Sequence, residues 1–158
     1  MTRVLFVCLG NICRSPSAEA VFRAQAEAAG LATTIDSAGT GGWHIGNPPY
    51  RPMIDAAWAR GYDLTPLRAR QVRARDFDDF DLIIAMDGAN RDVLEGLRPT
   101  GNATPVELFL SFADTSVTDV PDPYYTRDFD SALDLIEAAS RGLIAQLQTA
   151  SATSPNER

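Results

Sequence analysis

A chain of 158 residues, 45% hydrophobic and 22% charged, has the composition of one folded domain around one core, which excludes a disordered or fibrous protein. Its formal net charge of −7 argues against non-specific attraction to nucleic acid or an anionic membrane, so an anionic ligand must be held by a local positive field. No apolar run approaches the roughly 20 residues of a membrane span, and Val4 to Leu9 is short for a signal-peptide core with no cleavage site behind it, so a cytoplasmic protein with no membrane partner is expected.

Arg3 to Cys8 reads as a short buried strand, a β-branched and apolar run that stops at the turn signal Gly10-Asn11. Pro16 suits the first turn of a helix, and Ala18, Val21, Phe22, Ala26 and Ala29 recur at helical spacing until Gly30. Thr33 to Ser37 is a second strand, and Gly39 to Pro52, rich in glycine and proline, is a long irregular loop. A helix is expected from Met53 to Arg60, ending at Gly61. Asp81 to Met86 is the clearest later strand, its continuous apolar run typical of a strand covered on both faces. A short helix over Asn90 to Leu97 follows, then a last strand from Val106 to Leu110 and a polar, turn-rich stretch from Ala113 to Asp130. The final helix carries a stripe of Phe129, Leu133, Ile136, Leu143, Ile144 and Leu147. From Thr149 the stripe is gone and fraying is expected, which leaves a domain over 1–150 and a polar tail over 151–158.

Strands alternating with helices imply an α/β protein with a parallel sheet covered on both faces. Such sheets bind ligands outside the carboxyl ends of their strands, and Cys8 stands at the end of the first one. The two cysteines, Cys8 and Cys13, lie together in one short segment and make a poor disulfide framework for a domain.

The segment Cys8-Leu9-Gly10-Asn11-Ile12-Cys13-Arg14-Ser15 sets a thiol and a guanidinium on a loop that opens a helix. Backbone amides converging in a curled loop, together with the positive end of the helix dipole, make a cradle of phosphate size. The same donors stabilise a thiolate, which makes Cys8 a candidate nucleophile. Arg14 offers a planar fork able to hold two phosphate oxygens, a geometry that lysine lacks. Gly10 admits backbone dihedrals closed to other residues, Asn11 can support a left-handed turn, and Ser15 can donate its hydroxyl to the thiolate. A buried cysteine at a strand end can also be plain packing. The strand before, the helix after and the glycine and asparagine within all favour the cradle.

Val7-Cys8-Leu9-Gly10-Asn11-Ile12-Cys13-Arg14-Ser15-Pro16 closely resembles the signature of the low-molecular-weight protein-tyrosine phosphatases. The resemblance continues through Ala18-Glu19-Ala20, Asp36-Ser37-Ala38-Gly39-Thr40, Trp43-His44-Ile45-Gly46, Ala69-Arg70-Gln71, Ala85-Met86-Asp87 and Asp122-Pro123-Tyr124-Tyr125. It implies a three-layer sandwich with a four-stranded parallel sheet, and hydrolysis of phosphotyrosine through a cysteinyl phosphate with neither metal nor cofactor. The implied partners are a phosphotyrosine-bearing protein and inorganic phosphate as product, and the implied state is a monomer or weak dimer. It also implies that Asp122 is the general acid, which suits the chemistry, because a phenolate leaves more easily with a proton and the resulting carboxylate can then activate water. An Asp-Pro pair among polar residues is otherwise commonly just a turn. Trp43, Tyr124 and Tyr125 resemble the aromatic walls of the family's cleft, with packing or surface cover as the plainer alternative. Cys13 resembles the family's redox partner for Cys8, or else is a small buried residue.

One position departs from the pattern. Many members carry a histidine two residues before Ala69-Arg70-Gln71, where this chain has Leu67. That histidine helps brace the loop asparagine, so Asn11 is expected to rely on Ser15 and Ser37. His44, the single histidine, can line the cleft rim, but with two cysteines at this spacing it makes a poor zinc site. Arg68, Arg70, Arg73 and Arg75 are expected to pair with Asp76, Asp78 and Asp79 as a solvated face. Three other readings compete. In protein-arginine phosphatases of the same fold, threonine tends to stand where this chain has Ile12. An arsenate reductase needs further downstream cysteines, which the chain lacks. A phosphotyrosine-binding module without turnover has no need of both Cys8 and Asp122.

Overall fold

The computed structural model describes residues 1–152. Four strands, β1 (Thr2–Cys8), β2 (Thr33–Gly39), β3 (Leu82–Ala85) and β4 (Val106–Leu108), form one parallel sheet in the order β2-β1-β3-β4. Because β1 is central and both faces are covered, its side chains alternate between two cores. Val4, Phe6 and Cys8 point to one, and Leu5 and Val7 to the other.

The first face is packed by α1 (Arg14–Ala28), α2 (Arg51–Trp58), α6 (Phe129–Ala152) and a 3-10 turn at Phe109–Phe112. Phe6 lies at its centre, with ring centroids 5.4 Å from Phe22 and 5.2 Å from Phe109. The second face is covered by α3 (Asp76–Asp79) and α4 (Gly88–Leu97), which bring Phe77 and Leu94 onto Leu5, Val7, Ile83 and Ala85. The result is the expected three-layer α/β sandwich. The chain leaves β1 toward β2 on one side and returns to β3 on the other, so the end of β1 is the point where the strand order reverses. A crevice opens there between diverging connections.

The element boundaries shift for identifiable reasons. Helix α1 begins at Arg14 rather than near Pro16; Pro16 is then the third residue, where a missing N–H still costs no intrahelical bond. The strand expected over Val106 to Leu110 stops at Leu108, and the 3-10 turn instead drives Phe109 and Leu110 into the core. Two four-residue helices, α3 and α5 (Pro123–Thr126), interrupt stretches that carry no helical period, because one turn is too short to show one. Helix α6 continues past Thr149 to Ala152, and the remainder of the tail expected over 151–158 lies outside the described residues.

Arg60, after α2, ties that helix to α6 through Glu137 at 2.7 Å, Asp134 at 2.9 Å and Asp130 at 3.2 Å. Within the basic run, Arg75 pairs with Asp79, while Arg70 binds both Asp76 and Asp36, a strand residue that local pairing did not suggest. Arg68 donates instead to the carbonyls of Thr65 and Leu67.

Candidate active site

The chain from Cys8 to Arg14 curls at the end of β1, and Asn11 takes the left-handed conformation with φ 56° that a short polar side chain tolerates. This turn brings its backbone N–H to Cys8 Sγ at 3.3 Å, and Ser15 Oγ approaches the same sulfur at 3.0 Å. The buried Asn11 side chain holds the curl. Its Nδ2 donates to Ser15 Oγ at 2.7 Å and to Ser37 Oγ at 3.0 Å, as expected. Its Oδ1 also accepts from the Arg70 backbone N–H at 2.9 Å, a third brace that the reading of Asn11 as resting on two serines missed. Leu67, in the place of the family's histidine, packs partly buried against the core.

Proton placement follows from these donors. Ser15 Oγ accepts from Asn11, so its own proton is free for Cys8 Sγ, with the Ala38 carbonyl a longer alternative at 3.4 Å. Ser37 likewise accepts from Asn11 and donates a hydrogen bond to the buried Glu19 carboxylate at 2.7 Å, which Arg23 pairs at 2.8 Å. The loop is therefore pinned from behind by a satisfied polar network, the condition under which buried polar groups rigidify a site.

Arg14, the first residue of α1, is buried beneath the loop. Its NH1 is fixed by Asp87 Oδ2 at 2.7 Å and by the Val120 carbonyl at 2.9 Å. Among the described residues NH2 has only a long contact, 3.4 Å to Asp122 Oδ2, and the buried Nε has no partner. Burial works against the guanidinium charge, but Cys8, Asp87 and Asp122 outweigh it and raise its pKa, so Arg14 stays a cation. The side chain is thus clamped at NH1, weakly engaged at NH2 and unpartnered at Nε among the described residues, and the Nε–NH2 edge is the one suited to two oxygens of one anion.

Asp122 caps α5, its Oδ1 accepting from the Tyr124 N–H at 3.1 Å, and Pro123 fits the first helical position behind it. Cys8, Leu9, Gly10, Ile12, Cys13, Arg14 and Asp122 share one cavity of about 240 Å³ with Trp43, His44, Tyr124 and Tyr125. The candidate loop, clamp, acid and cleft residues therefore meet here, apart from Asn11 and Ser15, which brace the loop. Tyr124 is backed by Tyr50 at 5.0 Å and touches Tyr125 edge-on at 5.3 Å. Arg127 steadies this wall by donating to Tyr50 Oη at 2.8 Å. Cys13 is a free, buried thiol whose pKa burial pushes up, with the nearby Cys8 and Asp122 charges adding to the effect. Among the described residues no group of three or more His, Cys, Asp or Glu is arranged to hold a metal, and no helix is long and apolar enough to cross a membrane.

Sequence reasoning gave no role to Asp87, the Val120 carbonyl, Tyr50 or the Arg70 amide. For Asp87 a signal existed: a carboxylate directly after a buried strand neighbouring β1, and just before a helix, sits at the same sheet end as Cys8. It caps α4 through Asn90 N at 2.8 Å while its other oxygen reaches Arg14.

A phosphate-sized loop at the switch point of a four-stranded parallel sheet, with a sulfur, a clamped arginine and a capping aspartate around it, defines a class of small α/β proteins. The sequence profile of the family described as low molecular weight phosphotyrosine protein phosphatase matches residues 3–153, and the chain belongs to that family. The Bacillus subtilis low molecular weight protein-tyrosine-phosphatase YfkJ is 46% identical over 151 residues, covering 94% of this chain and 97% of the relative. The crystal structure of YfkJ superposes with a TM-score of 0.90, covering 94% of this chain and 96% of that one. A low molecular weight protein-tyrosine-phosphatase of Streptomyces coelicolor is 48% identical over 156 residues, with coverage of 92% and 93%. A Drosophila arginine phosphatase shares the fold with a TM-score of 0.88 at 31% identity, covering 94% of this chain and 98% of that one.

Proposed function

We propose that this protein hydrolyses phosphotyrosine in proteins, with Cys8 as nucleophile, Arg14 as phosphate clamp and Asp122 as general acid. The observation that carries the reading is the state of Arg14, which lines the same cavity as Cys8, is anchored at NH1 and has no partner at Nε among the described residues. The phosphoryl oxygens take the Nε–NH2 edge and the loop N–H groups, which places phosphorus in front of the sulfur. The thiolate attacks, the bond from phosphorus to the tyrosyl oxygen breaks, and Asp122 gives its proton to the leaving phenolate. Water then attacks the cysteinyl phosphate and Asp122 takes back a proton. The S–P bond breaks, and the Ser15 hydroxyl stabilises the sulfur as it leaves. The aromatic walls select a flat ring that carries the phosphate far enough out to reach the loop, which a serine ester does not.

Phosphate release from phosphotyrosine, phosphoarginine and phosphoserine peptides, measured with a chelator present, tests the reading. The expected order has phosphotyrosine first, and preferred turnover of phosphoarginine replaces the tyrosine assignment. Cys8→Ser is expected to abolish turnover while retaining phosphate binding. Asp122→Ala is expected to slow aryl phosphates with poor leaving groups more than those with good ones. Equal slowing removes Asp122 as the acid.

A further inference from the structure

Trp43 forms one wall of the cavity but is 71% exposed, so the core does not locate it. Among the described residues no hydrogen bond or ring contact holds the indole either. What it lies across is Gly41. A Cβ built on Gly41 would overlap Cζ3 and Cε3 of the six-membered ring and stand 2.6 Å from Cη2. The Gly41 φ lies outside the left-handed region, so the backbone itself would accept an alanine; the need for glycine is one of space.

The seat is coupled to the phosphate loop. The Gly41 N–H donates to the Leu9 carbonyl at 2.9 Å and the Thr40 N–H to the Cys8 carbonyl at 2.8 Å, while Gln71 Nε2 holds the Thr40 carbonyl at 3.1 Å. The position of the indole relative to Cys8 therefore passes through two main-chain hydrogen bonds and one missing side chain.

We infer that Gly41 is a specificity-determining positioning residue: its bare Cα seats the Trp43 indole flat, at the height above the phosphate loop that an aryl phosphate requires. The inference rests on the phosphatase reading above. A methyl group at position 41 lifts or tilts the indole, and the loss falls on ligands that carry a ring. Inorganic phosphate, which needs only the loop and Arg14, is indifferent to it.

The test is steady-state hydrolysis of a phosphotyrosine peptide by the full chain and by Gly41→Ala, Trp43→Ala and the double variant, with inorganic phosphate as competitive inhibitor. Gly41→Ala is expected to raise KM about tenfold, the scale of a lost aromatic contact, with the loss falling on KM rather than kcat and the phosphate Ki unmoved. Trp43→Ala should raise KM to a similar degree, and the double variant should be no worse than Trp43→Ala alone, since the methyl group then has no indole to displace. In a Trp58→Phe background, which leaves Trp43 as the sole tryptophan, Gly41→Ala should shift the emission without substrate. A wild-type KM for Gly41→Ala, effects that multiply in the double variant, or an unchanged emission spectrum overturns the inference. Absence of phosphotyrosine turnover in the unaltered protein sinks the phosphatase reading instead, and the emission spectrum then decides the seat by itself.

Discussion

Asp87 is the most informative residue to perturb, because one carboxylate performs two separable tasks. Its Oδ2 holds Arg14 NH1 at 2.7 Å, with Arg14 3% and Asp87 21% exposed, and its Oδ1 caps α4 through Asn90 N at 2.8 Å. A hydrogen bond between charged groups is worth roughly 1.5–3 kcal/mol, and Arg14 NH1 retains the Val120 carbonyl at 2.9 Å when the carboxylate is lost. A transition-state cost near 2 kcal/mol is therefore expected, about 30-fold in kcat/KM. Loss of the cap should cost a further ~1 kcal/mol, in stability rather than rate. Asp87→Ala removes both contributions, whereas Asp87→Asn keeps an equally good cap and removes the charge. The assay pairs kcat/KM on a phosphotyrosine peptide and the phosphate Ki with a thermal midpoint for each variant. Expected is a larger drop in midpoint for alanine, which also loses the cap, than for asparagine, and weakened catalysis and phosphate binding for both. If Asp87→Asn keeps kcat/KM and Ki within about twofold, Arg14 is not oriented by this carboxylate and the clamp argument fails.

The two thiols should differ in reactivity. Burial raises the Cys13 pKa, so it stays a protonated thiol at neutral pH, and the thiolate is the form that alkylates. Iodoacetate at pH 7 is expected to label Cys8 first, phosphate to protect it, and Cys13 to react only once urea opens the core; equal labelling rates in the folded protein would contradict this. A second consequence concerns alkaline stability. Partial burial and the hydrogen bond to Glu137 at 2.7 Å raise the Tyr62 pKa to about 12, above the unfolded value of about 10. A raised folded pKa contributes stability that is fully present below the unfolded value and is lost as pH climbs through the folded one. The thermal midpoint should therefore fall between about pH 10 and 12, less steeply in Tyr62→Phe, and identical slopes for the two proteins would remove Tyr62 as a source.

The chemistry of the site was legible in the chain because its central parts are contiguous. A strand, a loop and a helix N-terminus carry Cys8, Asn11, Arg14 and Ser15 within one turn of backbone, so local rules suffice to bring them together. The same holds for the sheet: the continuous apolar runs from Val4 to Cys8 and from Leu82 to Ala85 announce strands covered on both faces. What local rules did not reach were α3 and α5, each a single turn, and the 3-10 turn at Phe109–Phe112, where burial of two side chains overrides strand propensity.

The amino-acid sequence by itself determined that Cys8 and Arg14 share one loop and the sheet end at which that loop sits, since both follow from neighbours in the chain and from apolar runs. Only the tertiary structure decided how those groups are aimed: Asp87 onto Arg14 NH1 across 73 residues, the Arg70 amide onto Asn11 across 59, and Trp43 onto the bare backbone of Gly41. Such contacts depend on strand order and on side-chain volume at a meeting point, and neither is written in the spacing of residues along one segment.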